Sequence, residues 1–435
     1  MSGPAVGIMG LAVLLILFTF RLPVAFAMAL VGTVGFSYLA STGAAFSMVA
    51  LEIYNAFSNY FYASAIMFIW MGFVAYHVGI SRNLYTAAHT LVGRLRGGLA
   101  MTTVAACAMF GAICGSTLAT TAAMGAVALP EMERYHYDAA LATGTVATGG
   151  ILGTMIPPSI PLIVYGIFTE QSIGELFIGV IVPGLMLMIL CMATIYLLTL
   201  YNPKIGPPGT RTSFKEKVAA LLAGGTGETI IVFAIVLGGL FAGLFTPTEA
   251  GAVGTASILL VGLVRRKLTW QSFFASLADA AKTSAMVFLL VVGAEIFGTF
   301  MAASRIPSAL TSWASALPLP SALIICLIFL FQMILGCFMD GIAVLLLSLP
   351  IVFPAVVALG YDPIWLGAMM VLVAGLGMIT PPVGLNAYIV FGMVKNIPLP
   401  TIFKGILPFI VTIVVCIALF IAFPNIALFL PSLMK

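Results

Sequence analysis

Charged residues are scarce in this 435-residue chain. Only 7% of its residues are Asp, Glu, Lys or Arg, whereas 62% are hydrophobic, and the mean hydropathy is +1.22. Because about a quarter of the residues in an average soluble domain are charged, this composition excludes a water-soluble globular fold and predicts a membrane protein. The formal net charge is +4, and it reflects basic loops of the kind found on one membrane face. We therefore expect a lipid bilayer around the chain and no nucleic-acid partner.

Sequence motifs for common enzyme chemistry are also missing. The chain has no Walker loop, no nucleophile elbow and no HExxH zinc motif, and no intramembrane Ser or Asp has a His or Lys partner that would make it a nucleophile or base. His77, His89 and His136 share no metal-ligand spacing. The six cysteines form no CxxC pair and are interpreted as small buried hydrophobic residues: Cys107, Cys114, Cys191, Cys326, Cys337 and Cys416. We expect no enzymatic activity, no transition metal, no organic cofactor and no ATP-driven pumping by this chain alone.

The chain consists instead of long apolar runs between Gly3 and Phe423. A helix of roughly 20 apolar residues crosses the hydrocarbon core of a bilayer, and the continuous apolarity of these runs differs from the alternating pattern of barrel strands. The predicted fold class is an all-α polytopic membrane protein. We interpret the first run as a retained helix rather than a signal peptide, because Arg21-Leu22-Pro23 follows it directly.

A pattern of prolines, glycines and a Tyr-Asp pair occurs twice in the chain. Pro130, Tyr137-Asp138, Gly153 and Pro157-Pro158 return 224 positions later as Pro354, Tyr361-Asp362, Gly377 and Pro381-Pro382 (354 − 130 = 224). Duplicated, interrupted apolar segments are typical of transporters built from repeats. We predict a first repeat over residues 1–201, with a re-entrant hairpin at 100–130 and a Pro-Pro-broken transmembrane helix at 139–169. A polar cytoplasmic linker at 202–227 then leads to a second repeat over 228–435, with its hairpin at 321–355 and its broken helix at 363–394.

The basic residues predict the orientation of the two repeats. If the amino terminus lies outside and each hairpin re-enters the membrane from one face, 15 of the 17 lysines and arginines fall on the same side, and only Arg305 and Lys435 do not. Cytoplasmic loops carry this excess of positive charge. We therefore expect a periplasmic amino terminus and two repeats of inverted topology.

The segments between these motifs have simpler expectations. The aromatic stretch from Phe46 to Tyr62 is expected at the membrane interface, where amphipathic rings gather, and Ser81 to Gly98 is expected to be a basic connector. In the second half we predict an amphipathic segment from Leu268 to Lys282 and a separate span from Ser284 to Ala303.

The interruptions are where binding is expected. Unpaired backbone groups are costly at bilayer depth, so the turn at Gly115-Ser116-Thr117 is expected to line a cavity or to bind a ligand. Pro157-Pro158 and Pro381-Pro382 leave backbone carbonyls free upstream. These hard oxygen ligands suit Na⁺, while the amino terminus of each following half-helix suits a carboxylate.

These interruptions predict two cation sites. Hydroxyls supply the first site, from Ser116, Thr117, Thr120 and Thr121. Asp340 and Thr380 supply the second, with carbonyls near Gly336 and Gly377, and Asn386 is a candidate for either substrate or ion. The simpler interpretation of these hydroxyls is helix packing and hydrogen bonding to the carbonyl four residues earlier. However, four hydroxyls occur together here, beside paired glycines and opposite a Pro-Pro break. This combination favours a cation site over the simpler interpretation.

Three intramembrane acids need separate interpretations. Asp340 is the only acid at the tip of an interrupted unit, and an acid in the membrane is a functional candidate because of its cost. Glu249 follows Thr246-Pro247-Thr248 and is expected to start a helix at the membrane edge. Glu295 remains open between a hydrogen-bonded scaffold acid and a subunit contact.

With these motifs together, the chain resembles the large membrane subunit of TRAP transporters, the tripartite ATP-independent periplasmic systems of the ion-transporter superfamily. The resemblance covers essentially the whole chain. It rests on these segments: GSTLATTAAMGAVALPEM (Gly115 to Met132), YDAALATGTVATGGILGTMIPPSIPLIVYG (Tyr137 to Gly166), LFTPTEAGAVG (Leu244 to Gly254), MDGIAVLLLSLPIVFPAVVALGYDPIWLG (Met339 to Gly367) and GMITPPVGLNAYIV (Gly377 to Val390).

The resemblance implies a function and partners. It implies Na⁺-coupled secondary uptake of a small organic acid, by an elevator motion in the inner membrane of a bacterium. A periplasmic binding protein would deliver the carboxylate, and a small four-helix membrane subunit would brace this chain, which is expected to be the unfused large subunit. Which acid is carried stays open, with sialic acid and C4-dicarboxylates among the candidates.

The resemblance also implies which residues form the site. Two or more Na⁺ ions are expected, because two equivalent interruptions are present. The expected Na⁺ ligands are Ser116, Thr117, Thr120, Gly153, Pro157, Gly336, Asp340, Gly377, Thr380 and Val383, and the expected substrate ligands are Ser159, Thr121 and Asn386. A proton-coupled carrier that uses Asp340 as its relay, or a gradient-independent channel, is the alternative.

Overall fold

The computed structural model describes residues 2–20, 22–208, 226–316 and 319–433, and within these ranges the chain is helical, with no strand. This confirms the predicted all-α fold. The first half contains α1 (Gly3–Thr19), α2 (Val24–Leu39), α3 (Thr42–Ser58), α4 (Tyr62–His77), α5 (Ile80–Val92), α6 (Gly98–Cys114), α7 (Thr117–Arg134), α8 (Ala139–Gly149), α9 (Leu152–Met155), α10 (Ile160–Thr169), α11 (Ile173–Gly179) and α12 (Ile181–Tyr201). The second half contains α13 (Thr226–Phe241), α14 (Pro247–Val264), α15 (Trp270–Ser304), α16 (Ile306–Ala316), α17 (Ser321–Gly336), α18 (Gly341–Ala358), α19 (Pro363–Gly377), α20 (Leu385–Met393), α21 (Leu399–Ala422) and α22 (Asn425–Ser432).

Many of these helices are long and apolar enough to cross a membrane. Five qualify singly among the described residues, and seven if each of two bent pairs counts as one span. One bent pair is α3 with α4, at 56°, and the other is the segment Ala139–Met155 with α10, at 40°. The second bend lies at Pro157-Pro158, as expected from the loss of backbone donors at proline.

The helix order repeats with the spacing found in the sequence. The hairpin helix α7 begins at Thr117 and α18 begins at Gly341 (341 − 117 = 224), and α8 and α19 begin at Ala139 and Pro363 (363 − 139 = 224). Both Pro-Pro bonds, Pro157-Pro158 and Pro381-Pro382, are cis. The repeat boundaries and the orientation in the membrane stay predictions. Several basic residues on which that orientation depends lie outside the described residues: Arg21, Arg211, Lys215, Lys217 and Lys435.

The repeated Tyr-Asp pairs have a structural role. Asp138 caps α8 by accepting hydrogen bonds from the backbone of Ala140 and Leu141, at 3.0 and 3.1 Å. Asp362 caps α19 in the same way, so each broken helix starts at an aspartate cap. The Tyr137 hydroxyl donates to the Pro207 carbonyl at 2.7 Å and accepts from the Leu99 amide at 3.1 Å, and burial raises the pKa of Tyr137 to about 12. Tyr137 therefore joins the start of the first hairpin to the segment that follows α12.

One expectation about the intervening segments is wrong. The expected division between an amphipathic segment and a span near Thr283 is absent, because α15 continues for 35 residues and no Gly or Pro interrupts it there. The expected connector at Ser81 to Gly98 contains the helix α5, whose Ile80, Leu84 and Ala88 are buried. Their spacing of four residues makes one apolar face, so most of this connector is a packed helix.

The hairpins and broken helices form the centre of the molecule. Trp365 and the residues that follow it in α19 are buried to the end of that helix, and α8 packs along α21. At their crossing a Cβ on Gly144 would collide with the Gly405 backbone, so only glycine permits this approach. Outside this centre, α2 packs along α15 and α14 packs along α4.

Candidate functional site

The first hairpin turns at Gly115 and Ser116. Gly115 has a φ of +60°, and a Cβ there would lie 2.7 Å from the Pro158 carbonyl, so the turn requires glycine. Its carbonyl accepts a hydrogen bond from the Ile160 amide at 3.2 Å. Ser116 then caps α7, and its hydroxyl accepts from the Ala119 amide at 3.4 Å. The tip is therefore fixed directly against the Pro-Pro break of the same repeat.

The second hairpin has the same arrangement with an acid in place of the serine. Asp340 stands at the position equivalent to Ser116 (340 − 116 = 224) and caps α18 by accepting from the amides of Ile342 and Ala343, at 3.0 and 3.2 Å. The Gly384 amide donates to the Cys337 carbonyl at 3.1 Å, which joins this tip to its own Pro-Pro break. Asp340 is half-buried.

Oxygen atoms gather around Gly153 in the first repeat. A Cβ at this position would lie 2.6 Å from the Ser116 carbonyl and would collide with the Thr120 side chain, so the helix and the hairpin are in direct contact here. The hydroxyls of Thr117 and Thr154 are 3.1 Å apart beside them. Carbonyl and hydroxyl oxygens are the ligands that hard cations prefer. The residues present at Gly153 therefore fit a Na⁺ ion.

The equivalent contact in the second repeat contains fewer side-chain oxygens. Gly336 and Gly377 pack backbone to backbone, and a Cβ on Gly377 would lie 2.7 Å from the Met333 carbonyl. The Thr380 hydroxyl donates to the Leu376 carbonyl at 2.7 Å, which is the helix-internal bond of the simpler interpretation. Asp340 is thus the main candidate side-chain ligand, since Val383 contributes only backbone oxygen.

One cavity of about 360 Å³ brings the two hairpin tips together. Ser116 and Thr117 line it from the first tip, and Asp340 from the second. Helices outside the interrupted units form a further part of the wall, including Phe73 on α4 and Met286 on α15. A cavity between helices and of this size is typical of a small-molecule site.

The three expected substrate ligands are not part of the described lining of this cavity. Among the described residues that line it, none is Thr121, Ser159 or Asn386. Thr121 donates to the Thr117 carbonyl at 2.9 Å. Asn386 is fully buried, its Nδ2 donates to the Ala147 carbonyl at 3.0 Å, and its Oδ1 has no partner among the described residues. Their role in substrate binding stays a prediction.

Residues not singled out from the sequence also belong to the site. Cys114 lines the cavity, and its sulfur lies 3.0 Å from the Thr120 hydroxyl; its position next to Gly115 was the available signal. Tyr76 on α4 and Thr283 on α15 line the same cavity. They come from helices far away in sequence, so spacing could not have identified them.

The other membrane acids have structural partners. Glu249 and Thr246 form a capping box, with Glu249 Oε2 accepting from the Thr246 amide at 2.8 Å, which confirms Glu249 as a helix starter. Glu295 accepts from the Tyr62 hydroxyl at 3.3 Å, and this bond favours the interpretation of Glu295 as a scaffold acid.

Comparisons with known proteins agree with this architecture. Residues 11–426 match the family described as tripartite ATP-independent periplasmic transporter, DctM component. The chain is 34% identical to a C4-dicarboxylate TRAP transporter large permease of Pseudomonas aeruginosa, over 88% of this chain and 89% of the relative. It is 32% identical to a sialic acid TRAP transporter large permease of Vibrio cholerae, over 95% of each chain.

A solved structure has a related fold. The YdaH transporter of Alcanivorax borkumensis, which has been described as having an unusual topology, matches with a TM-score of 0.62 at 15% identity, over 88% of each chain. The sequence relatives are permeases, in agreement with the prediction that this chain is not an enzyme. The chain belongs to the DctM component family of tripartite ATP-independent periplasmic transporters and is a TRAP transporter large permease.

Proposed function

We propose that this permease carries out Na⁺-coupled uptake of a small organic acid by alternating access. The observation that supports this most directly is that both hairpin tips line one cavity, each fixed to a Pro-Pro break of its own repeat. Interrupted helices that meet at one place are how secondary transporters bind ions and substrate together.

Na⁺ coupling is supported by the oxygens at the two tips. The first tip offers the Ser116 carbonyl and the Thr120 hydroxyl at Gly153, and the second offers Asp340. At least two Na⁺ ions per cycle are proposed, one at each contact. No organic cofactor is proposed, because ion binding by these groups supplies the driving force.

A carboxylate substrate is supported by the relatives and by the chemistry of the cavity. The Pseudomonas aeruginosa and Vibrio cholerae relatives are named for C4-dicarboxylates and sialic acid, which are organic acids. In this chain Ser116 places a hydroxyl at the start of α7, where the helix dipole favours a negative group. A Na⁺ ion bound nearby would add to this attraction.

We propose an elevator motion in which the hairpins and broken helices move against the remaining helices. The helix α5 connects α4 to the first hairpin, and glycines in left-handed conformation stand before it and after it, Gly79 at φ +83° and Gly97 at φ +69°. Such positions can absorb backbone rotation at a hinge. The α5 connection is therefore suited to carry the moving part.

The proposed assembly includes two partners. A periplasmic binding protein would deliver the acid and a small four-helix membrane subunit would brace the permease, as the family name implies a tripartite system. The chain would lie in the bacterial inner membrane with a periplasmic amino terminus, as the 15 to 2 distribution of basic residues predicts.

The test is uptake by proteoliposomes that contain this chain and its two partners. Labelled acid should accumulate only when an inward Na⁺ gradient is imposed. Equal accumulation in K⁺ with a proton gradient would refute Na⁺ coupling and would favour the proton-coupled alternative, with Asp340 as the relay. Gradient-independent equilibration of the acid would instead indicate a channel.

A further inference from the structure

The composition of the cavity wall narrows the class of acid that fits it. Most of the wall away from the tips is apolar, with the side chains of Ile69 and Phe73 from α4, Phe110 from α6, Met286 from α15, and Val371 and Met378 from the second broken helix and its break. Among the described residues that line the cavity there is no Lys, Arg or His, and Asp340 carries the only formal charge. A ligand in this cavity would therefore contact mainly apolar side chains.

The volume of the cavity gives a lower bound on the size of the ligand that fits. A water molecule occupies about 30 Å³ in the liquid, and the cavity measures about 360 Å³. The space therefore accommodates a ligand of at least about ten non-hydrogen atoms. A ligand of this size must place several carbon atoms against the apolar wall.

Besides Asp340, the polar side chains of the described lining are neutral hydroxyls: Tyr76 and Thr283 on the outer helices, and Ser116, Thr117 and Thr154 at the first tip and its broken helix. The Ser116 hydroxyl accepts from the Ala119 amide, so its own hydrogen remains free to donate to a carboxylate. The neighbouring Thr154 hydroxyl donates to the Ile151 carbonyl, which leaves the Thr117 hydroxyl to donate to Thr154. A single carboxylate can thus be oriented by the first tip.

A second carboxylate on the ligand has no partner in this cavity. Buried charges require a partner of opposite charge, and the described lining supplies none. A cation held by Asp340 leaves no surplus positive charge for another acid, since Asp340 itself is negative. A polyhydroxylated acid would likewise bury many hydroxyls without partners.

We propose that this permease selects a monocarboxylate with an apolar body, aryl or branched alkyl, oriented with its carboxylate at Ser116 and its body against Phe73, Phe110 and Met286. This inference rests on the proposed function, because it assigns the substrate of the same site. On this proposal the substrate of this chain differs from those for which the relatives are named, dicarboxylates and sialic acid.

The test is thermal stabilisation of the purified full-length chain, with its small membrane partner, in saturating Na⁺. The probes are 3-phenylpropanoate, adipate as a dicarboxylate of similar size, succinate, and N-acetylneuraminate. The half-maximal concentration of 3-phenylpropanoate should be at least tenfold lower than that of each other probe. Equal or stronger stabilisation by adipate, succinate or N-acetylneuraminate would overturn the proposal.

Two variants of α15 test the position of the apolar body. Met286→Trp fills part of the cavity and should raise the half-maximal concentration of 3-phenylpropanoate at least tenfold, while that of acetate, which is short, should stay within twofold. Leu289→Trp is the matched control, because Leu289 is on the same helix and similarly exposed, at 45% against 44% for Met286, but does not line the cavity. If both variants raise the half-maximal concentration of 3-phenylpropanoate equally, the proposed position of the apolar body against Met286 is wrong.

The same experiment separates this inference from the proposed function. Na⁺-dependent stabilisation by a dicarboxylate that equals or exceeds the stabilisation by 3-phenylpropanoate would overturn the monocarboxylate class and leave Na⁺-coupled acid transport standing. Stabilisation by 3-phenylpropanoate that is equal in Na⁺ and in K⁺ would overturn the coupling and keep the substrate class. Stabilisation by none of the acids in Na⁺ would contradict both.

Discussion

The two hairpins share a backbone plan and differ in their side chains. Each tip begins its second helix with a side-chain cap, Ser116 in one and Asp340 in the other. In each tip a backbone carbonyl accepts a hydrogen bond from a backbone amide that follows the Pro-Pro break. At equivalent positions 224 apart, however, the hydroxyls of the first hairpin have no counterparts in the second: Thr117 and Gly341, Thr120 and Val344, Thr121 and Leu345.

This difference changes how each tip would hold a cation. The first tip offers several neutral oxygens in a buried setting, since Thr120 and Thr121 are fully buried, as is Ser159 after the facing Pro-Pro break. The second offers one carboxylate in a more open setting, because Pro381 and Pro382 are exposed. The two tips share the same carbonyl contacts and helix caps, but they differ in the charge of their side chains. A duplicated fold can thus provide two ion sites of unequal strength.

The helices before the hairpins differ as well. In the first half α3 and α4 meet at a 56° bend around residues 59–61, whereas the equivalent residues of the second half run through α15 without a break. The first half has Asn59-Tyr60-Phe61 at the bend, and the second half has Thr283-Ser284-Ala285 at the equivalent positions (283 − 59 = 224). The helix is continuous at these small residues, so the correspondence between residues 224 apart does not extend to the shape of the helices before the hairpins.

The largest expected effect is that of removing Asp340, which carries the one formal charge among the described residues that line the cavity. Asp340→Asn keeps an N-cap, because Asn and Asp cap helices equally well, but removes the negative charge. We expect the Na⁺ concentration for half-maximal uptake to rise roughly thirtyfold, which corresponds to about 2 kcal/mol for a charged ligand. The measurement is the initial uptake rate over a range of Na⁺ concentrations.

Asp362→Asn is the control for this variant. Asp362 caps α19 with the same pair of backbone bonds but does not line the cavity among the described residues. The Na⁺ concentration for half-maximal uptake by the Asp362→Asn variant should stay unchanged. Loss of coupling to Na⁺ in Asp340→Asn, with proton-driven uptake abolished as well, would instead identify Asp340 as a proton relay.

A second variant tests the contact at the first break. Gly153→Ala introduces a methyl group against the Ser116 carbonyl and Thr120, and overpacking of this kind costs about 1 to 3 kcal/mol. We expect a roughly tenfold weaker apparent Na⁺ affinity. Gly174→Ala is the control, because the nearest side chain to a Cβ there is Ser172 Oγ at 3.7 Å. Unchanged Na⁺ dependence in Gly153→Ala would remove this contact from the ion site.

Much of the fold follows from the sequence because its interruptions are chemically unambiguous. Proline removes a backbone donor and a left-handed turn requires glycine, so Gly115 and Pro157-Pro158 mark the hairpin tip and the break directly. The helix α5 could not be recognised in the same way, because its buried residues are mixed with polar ones. Whether this segment forms a buried helix depends on its packing against α6, which is a tertiary effect.

The site was predictable where it lies at an interruption. Ser116, Thr117 and Asp340 were expected at the tips and do line the cavity. The opposite wall, with Phe73 and Met286, could not be predicted, since helices from distant parts of the chain form it. Proximity to a break in sequence also does not determine which side of a helix faces the cavity, as fully buried Asn386 illustrates.

A smaller effect should follow from making the first tip resemble the second. Thr120→Val replaces the hydroxyl by the residue found at the equivalent position, Val344. Loss of one neutral oxygen ligand is worth about 1 kcal/mol, so the Na⁺ requirement should rise roughly fivefold. Thr143→Val is the control, since its buried hydroxyl donates only within α8. An effect as large as that of Asp340→Asn would show that the two tips contribute equally.

The smallest expected effect is that of removing the side-chain cap of α14, which its equivalent in the first half, α2, does not have. Thr246 and Glu249 form a capping box at the start of α14, whereas α2 follows Pro23 and has no side-chain cap. Thr246→Ala should destabilise the protein by about 1 kcal/mol, seen as a small fall in the midpoint of thermal unfolding in detergent, and Thr246→Ser should restore most of it. Because α2 is held along α15 without such a cap, tertiary packing alone suffices to fix a helix start in this fold. If Thr246→Ala has no effect on unfolding, packing fixes the start of α14 as well, and the two helices do not differ in this respect.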